Sequence, residues 1–199
     1  MHLDLSTLEA GVGEIRRSPA NIGTVELIVR RPAENERETL TEADLDTAKG
    51  LVGDGWLASD GDVRRQVTVM NARVVSLLAG SRDRWPLAGD QLYVDLDLSV
   101  ENLPPGTRVE VGAAVLEVSA VPHRGCKKFA ARYGPDALRF VNSMQGYAWN
   151  LRGINTRVLH GGIVRTGDLV RKLPSGELSP ESLSVHGQIP RARPKSPAA

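Results

Sequence analysis

The feature that most constrains the fold is a series of short apolar runs separated by glycine and proline. Runs over residues 24–31, 64–70, 91–100, 107–111 and 114–121 are rich in β-branched residues or alternate between apolar and polar, and they predict strands. The 20 glycines and 12 prolines supply frequent turn signals between the runs. The predicted helices are short and do not alternate regularly with strands, as a doubly wound sheet requires. We therefore expect a mainly β fold, a closed or nearly closed β-barrel with a few short peripheral helices.

The chain divides into three parts. Residues 1–23 begin with a capping-box pattern at Ser6 to Glu9 and are expected to form a peripheral helix or arm. Residues 24–173 hold the predicted strands and are expected to form the barrel domain. Residues 174–199 contain five prolines and no periodicity, so a disordered Pro-rich tail is expected there.

Three local patterns predict a helical turn, a capped helix and a hairpin. Residues 41–45 resemble a capped helical turn that ends at Gly50. Asn71 is placed to cap a short helix over residues 72–78. Residues 154–159 and 163–173, with a glycine pair between them, predict a final hairpin.

Composition and charge exclude several function classes. The 25 basic and 24 acidic residues nearly balance, which argues against a dedicated nucleic-acid-binding protein. No apolar run approaches the roughly 20 residues that span a bilayer. One cysteine cannot form an internal disulfide, and the N-terminus has no signal-peptide pattern. These observations predict a cytoplasmic protein with neither a nucleic-acid nor a membrane partner.

The most chemically distinctive stretch surrounds the single cysteine, Cys126. The potentially basic residues within six positions of it are His123, Arg124, Lys127, Lys128 and Arg132. Neighbouring positive charge favours the thiolate, which is the nucleophilic and metal-binding form of cysteine. Free cysteines are also common as small buried apolar residues, so a structural role is the competing interpretation.

Several segments, taken in order, resemble the MOSC domain, the C-terminal domain of molybdenum-cofactor sulfurases, which also occurs as a small stand-alone bacterial protein. The resemblance covers about residues 24–173. The segments that carry it are Gly50-Leu51-Val52-Gly53-Asp54, Arg65-Gln66-Val67-Thr68, Glu101-Asn102-Leu103, Gly106 through Gly112, the cysteine segment, Arg152-Gly153-Ile154, Gly161-Gly162 and Val164-Arg165-Thr166-Gly167-Asp168.

The resemblance implies a β-barrel and a functional role for Cys126. In the family, the corresponding cysteine carries sulfur as a persulfide or sits against the molybdenum centre, so Cys126 is the candidate catalytic residue and molybdenum ligand. The candidate residues for binding the cofactor, whose phosphate would need positive charge, are Arg65, Arg124, Lys127, Lys128 and Arg152. The chain departs from the family pattern in two places. It has no histidine just after Gly53-Asp54, and it has Gly125 where many members have a proline.

Three functions therefore remain open at the level of the sequence. The first is binding of the molybdenum cofactor or transport of sulfur on Cys126, with sulfur donor or acceptor proteins as partners. The second is molybdenum-cofactor-dependent reduction of N-hydroxylated small molecules, which requires a separate electron-donor protein. The third is a non-catalytic small-ligand-binding barrel in which Cys126 is buried. Pyridoxal phosphate would enter only through a separate partner, because the chain is too short to hold the domain that binds it in the sulfurases.

Overall fold

A computed structural model of the protein describes residues 2–174. The strands are β1 Ile22–Arg30, β2 Glu38–Leu40, β3 Glu42–Asp46, β4 Gly50–Leu51, β5 Val67–Asn71, β6 Leu92–Asp95, β7 Arg108–Val111, β8 Ala114–Val118, β9 Ile154–His160, β10 Gly162–Arg165 and β11 Leu169–Lys172. The α-helices are α1 Leu5–Ala10, α2 Val12–Ile15, α3 Trp56–Ser59, α4 Ala72–Ala79, α5 Lys127–Tyr133, α6 Pro135–Val141 and α7 Met144–Ala148. Short 3-10 helices cover Val63–Arg65 and Arg82–Ala88.

Seven strands close into a barrel, in the order β1-β11-β7-β8-β9-β5-β6 and back to β1. Closure depends on β1, whose first residues pair with β11 and whose later residues pair with β6. Only the β5–β6 pair of these neighbours is parallel. The prediction of a mainly β, closed barrel with a few short helices is confirmed.

A small second sheet of β10, β3 and β4 pairs separately from the barrel strands and corrects two expectations. Residues 42–46 form a strand rather than a helical turn, with Ala43 opposite Val164 of β10. Ala43 and Leu45 are buried between exposed neighbours, and pairing with β10 gives that alternation a buried face. The predicted final hairpin is also wrong, because β9 pairs with β5 and β8 while β10 pairs with β3.

Two hydrophobic clusters hold the fold together. One fills the barrel interior, and the other lies between the outside of the barrel and the helices. Strand β6 serves both, with Leu92 in the interior and Tyr93 in the outer cluster. Tyr93 is fully buried, and its hydroxyl donates to the Trp85 carbonyl at 2.9 Å. Because α4, α5 and α6 cover this side, alternation along β6 does not separate buried from exposed residues.

The helix caps follow local chemistry, with one correction. Asn71 caps α4 as predicted, since its side-chain oxygen accepts from the Arg73 and Val74 amides at 2.8 and 3.1 Å. At the N-terminus the cap is Asp4 rather than Ser6, because the Asp4 carboxylate accepts from the Thr7 amide at 2.8 Å. The hydrogen bonds that Asp4 accepts from the Thr7 amide and the Ser6 hydroxyl hold its pKa below its usual value.

Two sequence predictions concern the ends of the chain and its surroundings. The predicted Pro-rich tail, residues 174–199, lies outside the described residues from position 175 onward. Within residues 2–174 no helix combines the length and apolar character that a membrane crossing requires.

Candidate functional site

A cleft of about 860 Å³ opens on one side of the barrel, where loops from distant parts of the chain meet. We call it the basic cleft. The cationic residues that line it are Arg31, Arg37, Arg65, Arg124, Lys128, Arg132 and Arg152. Its acidic lining residues are Glu34, Asp54 and Asp60. Cys126 lies on the same cleft. The excess of positive charge is typical of a site that binds an anion.

Three arginines are fixed by the turn at residues 87–89, which ends the 3-10 helix Arg82–Ala88. The carbonyls of Leu87, Ala88 and Gly89 accept hydrogen bonds at 2.9, 2.9 and 2.6 Å from Arg132, Arg152 and Arg31 respectively. Gly89 has a φ of 90°, a backbone conformation that favours glycine. This turn therefore gathers guanidinium groups from three separate segments of the chain.

Arg31 is held further by a buried carboxylate from the segment that follows β4. Its guanidinium makes two parallel bonds to Asp54, from Nε to Oδ2 at 3.0 Å and from Nη2 to Oδ1 at 2.9 Å. The Asp54 side chain is 1% exposed, and it also accepts from the backbone amides of Arg31 and Trp56. This two-pronged geometry fixes the guanidinium plane at the edge of the cleft.

Arg37, like Arg124 and Arg132 of the same cleft, lacks a carboxylate partner within the described residues. Its buried Nε also has no hydrogen-bond acceptor there. Burial lowers the pKa of Arg37, and the nearby charges of Arg132 and Arg31 lower it further. A buried, unsatisfied N–H among like charges is costly, and an anion in the cleft would satisfy it.

Cys126 is exposed and occupies the N-cap position of α5. Asn142 fixes the residue before it, because the Gly125 amide donates to Asn142 Oδ1 at 3.0 Å and Asn142 Nδ2 donates to the Gly125 carbonyl at 3.1 Å. A proline at position 125 has no N–H to make the first of these bonds. The interpretation of Cys126 as a buried structural residue is wrong.

The sequence-predicted binding residues fall into two groups. Arg65, Arg124, Lys128 and Arg152 line the basic cleft together with Cys126, whereas Lys127 is exposed and does not line it. Arg65 lies 3.2 Å from Asp60, and Lys128 pairs with Glu34. Arg124 lies over the ring of Tyr147, with 4.4 Å from its guanidinium carbon to the ring centre.

Arg152 belongs to a buried group behind the cleft that the sequence did not reveal. Its Nη1 donates to Asp90 Oδ2 at 2.6 Å, its guanidinium lies 4.9 Å from the Phe129 ring centre, and its side chain is only 8% exposed. The other Asp90 oxygen, Oδ1, lies 3.4 Å from Nδ1 of His123. Burial lowers the pKa of His123 to about 3, and the charge of Arg152 contributes to this shift.

A second, smaller cavity adjoins the basic cleft. This side pocket has a volume of about 270 Å³ and shares Pro122, His123, Arg124 and Asn155 with the cleft. The rest of its lining is mostly apolar, with Leu103, Val118 and Ile154 among its residues. Segment 122–124 therefore forms a wall between a basic space and an apolar one.

Sequence reasoning missed Arg31, Arg37 and Asp90 as parts of the site. The strand pattern of residues 24–31 includes Arg31 without a binding role, and Asp54 stands in a matching segment without an assigned role. Arg31, Asp54 and Asp90 carry no local signal, since their placement depends on contacts with residues more than 20 positions away.

Comparison with known proteins identifies the domain. The family model of the MOSC domain matches residues 84–171, a range that includes Asp90, Cys126 and Arg152. Residues 84–171 of this chain therefore carry a MOSC domain. A search of the curated proteins finds no match to the chain.

Solved structures share the fold of this chain at low sequence identity. The YuaD protein from Bacillus subtilis superposes with a TM-score of 0.56 at 17% identity, covering 75% of this chain and 94% of the other. YiiM from Escherichia coli gives a TM-score of 0.51 at 18% identity, covering 76% and 70%. Each superposition covers a larger share of this chain than the residues 84–171 that the family model matches.

Proposed function

We propose that this MOSC protein binds the molybdenum cofactor in the basic cleft, with the Cys126 sulfur as the metal ligand. The observation that carries the proposal is the combination of an exposed thiol and seven cationic side chains on one cleft. A soft thiolate suits molybdenum, and guanidinium groups suit the phosphate of a pterin cofactor.

The residues of the basic cleft are suited to hold the phosphate of the molybdenum cofactor. Arg37 supplies an N–H without an acceptor, and Arg31 and Arg132 are held beside it by the turn at residues 87–89. Arg37 and Arg132, which have no carboxylate partner within the described residues, are the best-placed candidates to hold the phosphate, whereas Arg31 already pairs with Asp54. Arg65 and Lys128 already pair with Asp60 and Glu34, so their charges are partly used within the chain.

The chain's own residues would prepare the thiol for its role. Cys126 stands at the start of α5, where backbone N–H groups favour negative charge, and cationic side chains line the same cleft. The Asn142 hydrogen bonds to Gly125 hold the preceding backbone in one position. When bound, the cofactor would supply a redox-active metal for two-electron reduction of a small molecule.

Reduction of N-hydroxylated small molecules is the reaction we favour, because the side pocket offers room for a substrate next to the cleft. The two electrons would come from a separate donor protein. Transport of sulfur as a Cys126 persulfide is the second candidate, since an exposed thiol is accessible to donor and acceptor proteins.

Metal and pterin analysis of the full-length protein tests the binding proposal. The chain is produced in a host that makes the cofactor, and molybdenum and pterin are measured by mass spectrometry and by fluorescence after oxidation. We expect Cys126→Ser to lose most of its molybdenum and Arg37→Gln to bind the pterin about tenfold more weakly. Arg171→Gln is the matched control, because Arg171 pairs with Glu110 outside the cleft. Equal metal and pterin contents in the wild type and both cleft variants would refute the proposal.

A separate assay distinguishes the two candidate reactions. Cofactor-loaded protein is mixed with a chemically reduced dye as electron donor and an N-hydroxylated base analogue, and dye oxidation is followed. Loss of dye colour that requires both substrate and Cys126 supports the reductase. Sulfane sulfur on Cys126 after incubation with a cysteine desulfurase, without any substrate-dependent dye oxidation, supports the sulfur carrier instead.

A further inference from the structure

The wall between the basic cleft and the side pocket contains a histidine with an unusual environment. His123 lines both cavities, and its side chain is 16% exposed. Its Nδ1 is buried and has no hydrogen-bond partner within the described residues. The exposed part of the imidazole ring therefore belongs to its other atoms.

Asp90 determines which nitrogen of His123 carries the proton. Asp90 Oδ2 is occupied by Arg152 at 2.6 Å, whereas Oδ1 has no hydrogen bond and lies 3.4 Å from His123 Nδ1. These two buried atoms are left facing each other. A carboxylate oxygen can only accept, so the favourable arrangement places the proton on Nδ1 of His123. A slightly shorter distance between Nδ1 and Asp90 Oδ1 then gives a hydrogen bond.

The charges around His123 keep the ring neutral. Asp90, Arg152 and Arg31 are the charged groups that act on it, and the two cations together with burial outweigh the single carboxylate. A neutral imidazole with its proton on Nδ1 has a lone pair on Nε2, which makes Nε2 a hydrogen-bond acceptor.

The side pocket suits an uncharged ring. Among its lining residues only Arg124 carries a permanent charge, and that guanidinium already lies on Tyr147. An apolar cavity of about 150 Å³ is large enough for benzene, so a pocket of about 270 Å³ has room for a ring with a polar substituent. Arg124 is two residues before Cys126, which places their Cα atoms within about 8 Å of each other.

We propose that His123, oriented by Asp90, binds an uncharged ring compound in the side pocket by accepting a hydrogen bond at Nε2 from an N–H or O–H of that compound. His123 is thus a substrate-binding residue, and Asp90 is a positioning residue that acts through it. This inference rests on the proposed function and deepens it, because it names the class of substrate that would reach Cys126.

The tautomer of His123 is tested first, on the full-length protein without cofactor. Long-range ¹H–¹⁵N correlation spectra distinguish the two neutral forms of each of the four histidines, and the His123→Gln spectrum assigns the resonance. We expect His123 to carry its proton on Nδ1 and to stay neutral between about pH 5 and pH 8. A proton on Nε2, or titration near the ordinary pKa of histidine, would overturn the proposal.

Binding is tested with benzamide, which has an N–H, and with N,N-dimethylbenzamide, which has none. We expect benzamide to shift the Nε2 resonance in a saturable way and to bind at least about fivefold more tightly than the dimethyl compound. The His123→Asn variant, whose amide reaches only the Nδ1 position, should weaken benzamide binding by a similar factor. The His123→Gln variant, whose amide reaches the Nε2 position, should weaken it less.

The outcomes separate this inference from the proposed function. Absence of benzamide binding, equal binding of the two compounds, or unchanged binding by a folded His123→Asn variant would overturn the role of His123. The Asp90→Asn variant adds a check on orientation, since a folded protein with an unchanged tautomer contradicts the role of Asp90. If these measurements succeed while the wild type binds no molybdenum, the proposed function alone fails.

Discussion

Removal of His123 should change how the stability of the protein depends on pH. Burial, followed by the charge of Arg152, lowers the pKa of His123 to about 3 from an ordinary value of 6.5. The unfolded chain therefore takes up a proton near pH 6.5, whereas the folded chain does so only near pH 3. Between these values the unfolded state binds more protons, so stability must fall as the pH falls through this window.

The size of the effect follows from the two pKa values of His123. At pH 5 the unfolded imidazole is mostly protonated and the folded one is not. The unfolded state is favoured by protonation over about 1.5 pH units, from its pKa of 6.5 down to pH 5. At about 1.4 kcal/mol per unit, the protein should lose about 2 kcal/mol of its free energy of unfolding between pH 8 and pH 5 through this residue alone.

Urea unfolding at both pH values measures this loss when the wild type is compared with His123→Gln. Acidic groups whose pKa is lowered in the folded state, such as Asp46 and Asp62, also reduce stability in acid, but they are common to both proteins. The wild type should therefore lose about 2 kcal/mol more than His123→Gln. His160→Gln, at an exposed histidine of β9, is the control and should behave like the wild type. Equal losses in the wild type and His123→Gln would refute the argument that His123 is buried in its neutral form.

Three further predictions concern stability and can be measured by urea unfolding at neutral pH. Gly125→Pro removes the amide that donates to Asn142 and should cost about 2 kcal/mol, while an unchanged midpoint would contradict that bond. Asn71→Ala should cost about 2 kcal/mol because it removes both the cap of α4 and a buried donor, and Asn71→Asp, which keeps the cap oxygen but places a second oxygen against the Leu96 carbonyl, should cost no less. Arg152→Met leaves the buried Asp90 carboxylate without its cation and should cost about 3–5 kcal/mol, so a loss under about 1 kcal/mol would argue against a buried ion pair.

Local patterns predicted a large part of the fold. Strands β7 and β8 and the Asn71 cap all depend on residues close together in the sequence. Residues 42–46 show where such reasoning fails. The capping pattern there predicts a helical turn, but pairing with β10 makes the segment a strand. Strand pairing over such a distance depends on the partner as much as on the strand's own residues.

The candidate site was predicted only in part. The basic segment around Cys126 is contiguous, so the sequence alone identified Arg124 and Lys128 as candidate binding residues. Of the predicted cations Lys127 lies off the cleft, because residues near one another on a helix face different directions.

By itself, the sequence determined the strand-rich character of the chain and the position of its thiol within a basic segment. Alternation, turn residues and caps act over a few positions, so they can be read without knowledge of the fold. Only the tertiary structure decided that β1 pairs with both β6 and β11, and that Arg31, Arg132 and Arg152 meet at the turn of residues 87–89. It also decided that Asp90 and His123 face each other away from water. Burial and charge pairing join residues far apart in the chain, and closing the barrel is what brings them together.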